Sequence, residues 1–438
     1  MEQLELFVDR RSLFEKLYST ELLYKGFRAV KKNKGAPGND GITIKEFEAD
    51  LDSNLRRLSE EIKGWEYKPS PVLRVEIPKP GKNAGVRLLG IPCVRDRVVQ
   101  AALKLILEPI LDPLFSENSY GFRPNRNQRQ AVEAAQKIVN TGKEYVVDID
   151  LSKFFDRVNH DRLVTRLAQY ISDKRILRII GMTLRSGVMK DGLYSPTEEG
   201  TVQGGPLSPL LSNVVLDELD KELENRGLEF CRFADDCNIF VSSQKAAQRV
   251  MLNISKFISN KLKLVVNQEK SKVALSKYVK FLGLTIIAGT IAISVVSMKR
   301  AMAKVKDLTP RGTHITLEET IKRVNSWYMG WSQYYSMTQY PGQLKKIEAH
   351  VRRRLRSRIV GQQKKRRHLF NKLIKRGLSR SYAANTVYNN DGRWAISGKF
   401  AMAKAYSVPW FIKQIGQKIR SEEGQPHWFS LDQWIRMT

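Results

Sequence analysis

The chain has 438 residues and carries 75 Lys+Arg against 45 Asp+Glu, a net charge of +30. That length and 42 % apolar content support two or three domains with real cores, and the basic balance points to a nucleic-acid partner. It offers no run of about 20 apolar residues to span a bilayer and no signal peptide at Met1 to Arg10. Cys93, Cys231 and Cys237 form no Cys-x-x-Cys pair, which argues against structural zinc and for a reducing, cytoplasmic compartment.

Leu13, Leu17 and Leu22-Leu23 predict an amphipathic helix within residues 1 to 30. A basic, glycine-rich turn, Lys34 to Gly41, separates it from a helix over about 44 to 63. Val72 to Pro78 alternates as a half-buried strand and Val86 to Ile91 returns, giving a hairpin with lysines at its tip. A helix at about 94 to 108 should stop at Pro109, and another spans 126 to 140. Tyr145 to Leu151 reads as a strand and helices fill 159 to 187. The Gly/Pro-rich loop Thr201 to Pro209 leads into a helix at 210 to 225, followed by a tight hairpin over Glu229 to Val241. A helix at 244 to 261 and short strands at 262–266, 272–275 and 279–287 complete an α+β pattern with a small antiparallel sheet.

Beyond residue 294 the chain turns helical and strongly basic. Ile321, Val324, Tyr328, Trp331 and Tyr335 recur at helical spacing and read as helix core rather than a platform for bases. Arg352, Arg353, Arg354 and Arg356, then Lys364, Lys365, Arg366 and Arg367, form a cationic run with almost no acid. Unpaired cations of this kind suit RNA or DNA backbone phosphates. A tail with Trp394, Trp410 and Trp428 reads as a small helical module.

The chemistry rests on acids. Asp235 and Asp236 sit on the turn of the Glu229–Val241 hairpin, where two adjacent carboxylates are costly unless a cation neutralises them. Asp148 and Asp150 share one face of the preceding strand, and either could bring a third carboxylate. Three such groups suit two Mg²⁺ ions, which at a separation of about 4 Å activate an attacking hydroxyl and stabilise a leaving oxygen in phosphoryl transfer.

These residues lie within an ordered series of motifs: Gly35-Ala36-Pro37-Gly38-Asn39-Asp40-Gly41, Ile77-Pro78-Lys79-Pro80 with Arg87-Leu88-Leu89-Gly90-Ile91-Pro92, Tyr120-Gly121-Phe122-Arg123-Pro124, and Asp150 to Asp156. Gly200 to Pro209, Phe233-Ala234-Asp235-Asp236, Asn267 to Ser271 and Phe281-Leu282-Gly283 follow. From about residue 20 to 400 the series resembles the group II intron-encoded reverse transcriptases of bacteria. The resemblance implies a right-hand polymerase, with fingers and palm over 1–290, a helical thumb with maturase character over 291–365, and a DNA-binding-like module over 366–438. It implies a catalytic set of Asp150, Asp235 and Asp236, with Asp150, Asp235, Asp236 and the Leu151 carbonyl as ligands of two Mg²⁺ ions, for which Mn²⁺ can substitute. Family spacing favours Asp150 because Phe155 then falls at the steric gate that selects deoxynucleotides. Lys79 and Arg87 would grip the incoming triphosphate, Gln203 would lie against the nucleotide and Lys270 near the departing pyrophosphate. Arg123, Phe281 and Gly283 would contact primer and template. The implied partners are an RNA template (its own intron RNA), a DNA primer or target, and deoxynucleoside triphosphates, with no membrane, in the bacterial cytoplasm or nucleoid.

Phe233 stands where the family usually has tyrosine, and the basic helix lacks the family's tryptophan-lysine repeat. Five scattered histidines and no paired cysteine motif give no expectation of a His-Asn-His endonuclease. Two other readings are compatible with the sequence. One is an RNA-binding splicing cofactor whose polymerase has decayed; the other is a domesticated relative in phage defence, CRISPR spacer acquisition or DNA repair.

Overall fold

A computed structural model describes residues 11–78, 85–310 and 312–411. The chain divides into two compact units, Met1–Val279 and Lys280–Thr438. The first is a mixture of helices and sheets and the second is largely helical, as an α+β chain with a helical C-terminal part requires. Among the described residues, no helix is long and apolar enough to cross a membrane.

The strands are β1 (Val72–Pro78), β2 (Val86–Ile91), β3 (Tyr145–Ile149), β4 (Val188–Lys190), β5 (Leu193–Ser195), β6 (Glu229–Phe233), β7 (Asp236–Val241), β8 (Lys272–Leu275), β9 (Leu284–Ile287) and β10 (Thr290–Ile293). Two four-stranded sheets organise the first unit, in the orders β2-β1-β4-β5 and β6-β7-β3-β8. The first contains the predicted hairpin, β1 against β2, and adds β4 parallel to β1. Its β4–β5 arm was not expected from the sequence, because Val188–Lys190 and Leu193–Ser195 are too short to show a period. The second sheet is antiparallel, with β3 at its centre between β7 and β8.

Alternation along β3 settles which face is core. Val147 and Ile149 are buried in the unit's main apolar cluster with Phe230, Cys237 and Ile239 from the neighbouring strands. Asp148 lies on the opposite face, level with Asn238 and Lys272. The predicted N-terminal helix is two, Leu13–Leu17 and Thr20–Lys32, because Ser12 and Ser19 each cap a new start. The next is also two, Ile44–Ala49 and Leu51–Lys63. Val94–Leu111 runs two residues past Pro109. Burial of Leu103, Leu107 and Leu111 on one face outweighs the single backbone bond that proline removes. The strand expected at 262–266 is a helical turn, Ile258–Leu262, followed by one bridge between Val266 and Leu151.

In the second unit the β9–β10 hairpin precedes the helices Val295–Leu308, Leu317–Tyr334 and Pro341–Gly361, with shorter helices after them among the described residues. Ile321, Val324 and Tyr328 point into the core, so the aromatic stripe is helix packing. One apolar cluster runs from Ala301 to Phe411, so Arg393–Gly398 packs on Pro341–Gly361 and the other helices from residue 366 on share its core. Trp428 lies outside the described residues.

Candidate active site

The β6–β7 register pairs Phe233 with Asp236 and leaves Ala234 and Asp235 as a two-residue turn. Ala234 adopts φ +58°, a left-handed conformation that L-residues occupy only at a cost. A buried network holds it there. Arg232 donates to both carboxylate oxygens of Asp220, at 2.7 and 2.5 Å, to Asn213 Oδ1 at 3.0 Å and to the Ala234 carbonyl at 2.9 Å. Asn213 Nδ2 in turn donates to the Gly121 carbonyl at 2.9 Å. A side chain at Gly121 would collide with the Ala234 backbone, so this position requires glycine for close approach. The Tyr-Gly-Phe-Arg-Pro motif, the helix Ser208–Asn225 and the acidic turn are thus tied together. The sequence gives no periodic sign of this tie, since Asp220 and Asn213 read as ordinary polar positions on a helix.

Asp150 leaves β3 at the same end of the sheet. The register Ile149↔Cys237, continued by one residue, brings Asp150 level with Asp236. Its backbone is pinned by the Asn267–Ser271 turn: Asp150 N–H donates to Ser271 Oγ at 3.0 Å, and its carbonyl accepts from Asn267 N–H at 2.8 Å. Lys270 Nζ lies 3.8 Å from Asp150 Oδ1 across an exposed gap. Burial pushes the Asp235 carboxyl above the usual carboxylate range, the charge of Asp150 pushes the same way, and Arg87 and Arg232 oppose it. Asp148, the alternative acid, is two residues further back, at the level of Asn238.

The acids expected to share the divalent ions are Asp150, Asp235 and Asp236. Among the described residues, no three Asp, Glu, His or Cys side chains come together to hold one ion. Asp150 and Asp235 act on each other, whereas Asp236 already belongs to β7 and follows that strand's alternation rather than the turn. Two hard-oxygen donors whose charges repel still fit Mg²⁺, which is commonly held by one or two carboxylates together with waters and substrate phosphates. The Leu151 carbonyl expected as a further ligand belongs to a residue that is buried and bridges to Val266.

Arg87, Phe155, Gln203 and Asp235 line one cleft of about 830 Å³, within the range of nucleotide-sized pockets. The Phe155 carbonyl accepts from Thr201 N–H at 2.6 Å, and Gly90 N–H donates to the Gln203 carbonyl at 2.9 Å. The 200–205 loop is therefore clamped between the Phe155 turn and β2. Gly204, at φ +127°, would carry a Cβ 2.6 Å from the Gly90 carbonyl, and only glycine passes. Phe155 also makes an edge contact with Phe154, whose ring is buried.

Other expected contact residues sit as follows. Arg123 was expected at primer and template. It is buried, donating to Asp112 Oδ1 at 2.8 Å and to the carbonyls of Ser116, Ser119 and Asp112, so its fork is used inside the fold. Its neighbour Phe122 lines the cleft instead, 47 % exposed at φ +60°. That one-residue exchange comes from the left-handed backbone, which alternation cannot reveal. The arginines Arg352, Arg353, Arg354 and Arg356 of Pro341–Gly361 are half-buried and engaged within the fold. Arg354 donates to Thr309 and to the Lys306 carbonyl, and Arg356 to the Tyr406 carbonyl at 3.0 Å, satisfying C-terminal carbonyls of neighbouring helices. Arg353 stacks on Trp394 at 4.3 Å, and Arg352 pairs with Glu348 at 3.7 Å. Lys364, Lys365, Arg366 and Arg367 remain exposed. Phe281 is buried and Gly283 turns at φ +83° against Tyr335, both within the second unit. Lys79 lies outside the described residues.

Residues 77–286 match the family described as reverse transcriptase (RNA-dependent DNA polymerase), and residues 298–376 match the group II intron maturase-specific domain. Protein YkfC of Escherichia coli K12 is 33 % identical over 293 residues, covering 58 % of this chain and 76 % of that protein. The group II intron-encoded protein LtrA of Lactococcus lactis is 31 % identical over 263 residues, covering 60 % of this chain but 42 % of its own length. A putative COX1/OXI3 intron 2 protein of Saccharomyces cerevisiae is 33 % identical over 253 residues, covering 56 % of this chain and 28 % of that protein. A reverse-transcriptase match and a maturase match in this order, with a relative covered over three quarters of its length, establish one conclusion: the chain belongs to the group II intron-encoded reverse transcriptase and maturase family.

Proposed function

We propose that this protein is an RNA-directed DNA polymerase that copies RNA, its own intron RNA foremost, into DNA in the bacterial cytoplasm, and binds that RNA to promote splicing. The observation that carries the proposal is Asp235, which lines one cleft with Arg87, Phe155 and Gln203 and lies near enough to Asp150, at the same end of the sheet, for the two charges to repel. Bound Mg²⁺ or Mn²⁺ supplies the charge that activates the primer 3′-hydroxyl and stabilises the leaving pyrophosphate. Asp150 and Asp235 would hold the divalent ions, with Asp236 beside them.

Arg87, on β2, grips the triphosphate, and its fixed positive charge offsets charge developing on the reacting phosphate. The clamped 200–205 loop presents the backbone around Gln203 to the nucleotide. Phe155, rigid on its own turn, crowds a ribose 2′-hydroxyl and so selects deoxynucleotides. Lys270, facing Asp150, stands near the departing pyrophosphate. The exposed cations Lys364 to Arg367 take RNA phosphates, and the segment after residue 366 takes DNA.

Primer extension on an RNA template tests the proposal, with a D235A/D236A variant as control. DNA synthesis that the double substitution abolishes is expected. A variant as active as wild type would refute the site. Splicing stimulation without DNA synthesis by the wild-type protein would instead identify a splicing cofactor.

A further inference from the structure

A second concavity of about 790 Å³ in the N-terminal unit shares no lining residue with the cleft. Its rim carries four cations, Lys68, Lys174, Arg178 and Arg185, and no acidic side chain lines it. Three of the four come from or just follow the helix Lys174–Leu184. Positions 174, 178 and 185 recur on one helical face, with axial steps of about 6 Å and then about 10 Å. Gly181 falls on the same face between the two arginines and leaves the floor, built by Leu177 and Met182, uncovered.

These charges are poorly neutralised. Arg185 pairs with Asp161, but both side chains are more than half exposed, so the pair contributes little. Lys68, Lys174 and Arg178 form no ion pair among the described residues, and all three are exposed. The adjacent acid Asp173 is engaged by Arg175 and by the Phe14 N–H. Arg178 is not loose. Its guanidinium lies 5.1 Å from the centre of the Trp65 ring, which itself stacks on Phe14 at 5.0 Å. An arginine held on an aromatic face keeps its donor edges for an anion and loses little side-chain freedom when one binds.

The groove also has a definite place in the fold. Lys68 precedes β1, and Arg185 precedes β4, where the parallel pair begins at Val72↔Val188. Arg87, in the cleft, pairs with Ile77 near the other end of β1, about 17 Å further along that strand. A template short enough to be held by the cleft alone does not span both.

We propose that this groove is a second RNA-binding surface, which takes the backbone phosphates of RNA lying outside the polymerase cleft. The polyanion chemistry follows from the groove itself; the choice of RNA rests on the function proposed above. The alkyl floor receives sugar edges while the four cations meet phosphates, as at other nucleic-acid contacts that position without reading sequence.

The test is binding of an RNA hairpin of about 40 nucleotides across a salt series, comparing wild type with a K174Q/R178Q/R185Q variant. Three lost phosphate contacts should flatten the slope of log K against log salt by about 2–3 and weaken low-salt binding at least about tenfold. Extension of a primer on a short template should be unchanged. If the triple variant loses folded structure, the single variants K174Q and R178Q replace it, each expected to flatten the slope by about one. An unchanged slope overturns the proposal. So does an equal loss for a DNA hairpin of the same sequence, or a groove that poly-glutamate fills while RNA does not. Wild-type protein that makes no DNA, yet loses the RNA slope on substitution, would refute the polymerase function and leave this surface standing.

Discussion

Arg232 offers the sharpest perturbation of the acidic turn. It is buried with Asp220, and four hydrogen bonds from one guanidinium fix the carboxylate, Asn213 and the Ala234 carbonyl. An R232M substitution leaves Asp220 buried without a partner, a loss of about 3–5 kcal/mol. In a unit of this size that lowers the melting temperature by roughly 10 °C. The companion variant R232M/D220L removes both charges and fills the space with apolar atoms, which in buried pairs is commonly neutral or stabilising. It still leaves the Ala234 carbonyl without its donor, and an orphaned buried acceptor costs about 1–3 kcal/mol. Since Ala234 is held at a left-handed φ beside Asp235, that cost relaxes the turn. Expressed in the rate, it is about a 5- to 150-fold loss of kcat for primer extension at near-normal melting temperature. The pair of assays separates stability from positioning. A double variant that both melts and polymerises like wild type would refute the role assigned to the network, as would R232M with no loss of stability.

Other outcomes follow from the same geometry. Because burial raises the Asp235 carboxyl above its unfolded value, ionising it destabilises the fold, a cost present at neutral pH that disappears as pH falls through the raised value. D235N should therefore melt higher than wild type in chelator at neutral pH, with the gain vanishing in acid, and Mg²⁺ should raise the wild-type melting temperature more than that of the variant. F155A should incorporate ribonucleotides, with deoxy-over-ribo discrimination in single-nucleotide insertion falling about 10- to 200-fold. R123A should lose about 3 kcal/mol of stability in denaturant titration through its buried bonds, while template affinity of the folded fraction holds; a selective loss of template binding would restore it as a contact residue.

How far the sequence goes is clearest at two neighbouring positions. The Tyr-Gly-Phe-Arg-Pro motif announces a site, and arginine is the natural choice for a phosphate or base contact. The structure turns Arg123 inward and Phe122 into the cleft, because one left-handed residue reverses the order of faces. The same happens on Pro341–Gly361, where a run of arginines looks like a phosphate rail. Most of its forks satisfy helix-end carbonyls or stack on an indole, contacts to partners about 40 to 50 residues away in the chain.

The amino-acid order alone determined the class of fold, the motif series, and the strand and turn that carry Asp150 and Asp235. Those depend on alternation, on turn chemistry and on local spacing, which the chain states directly. Tertiary structure decided which charges are available for chemistry and which are consumed in holding the fold. A guanidinium binds whatever oxygen is nearest in space, and that distance is set by packing between segments far apart in the chain. Hence the motifs single out Asp150 and Asp235 as candidates, while the network of Arg232, Asp220 and Asn213 around the turn became visible only in the tertiary structure.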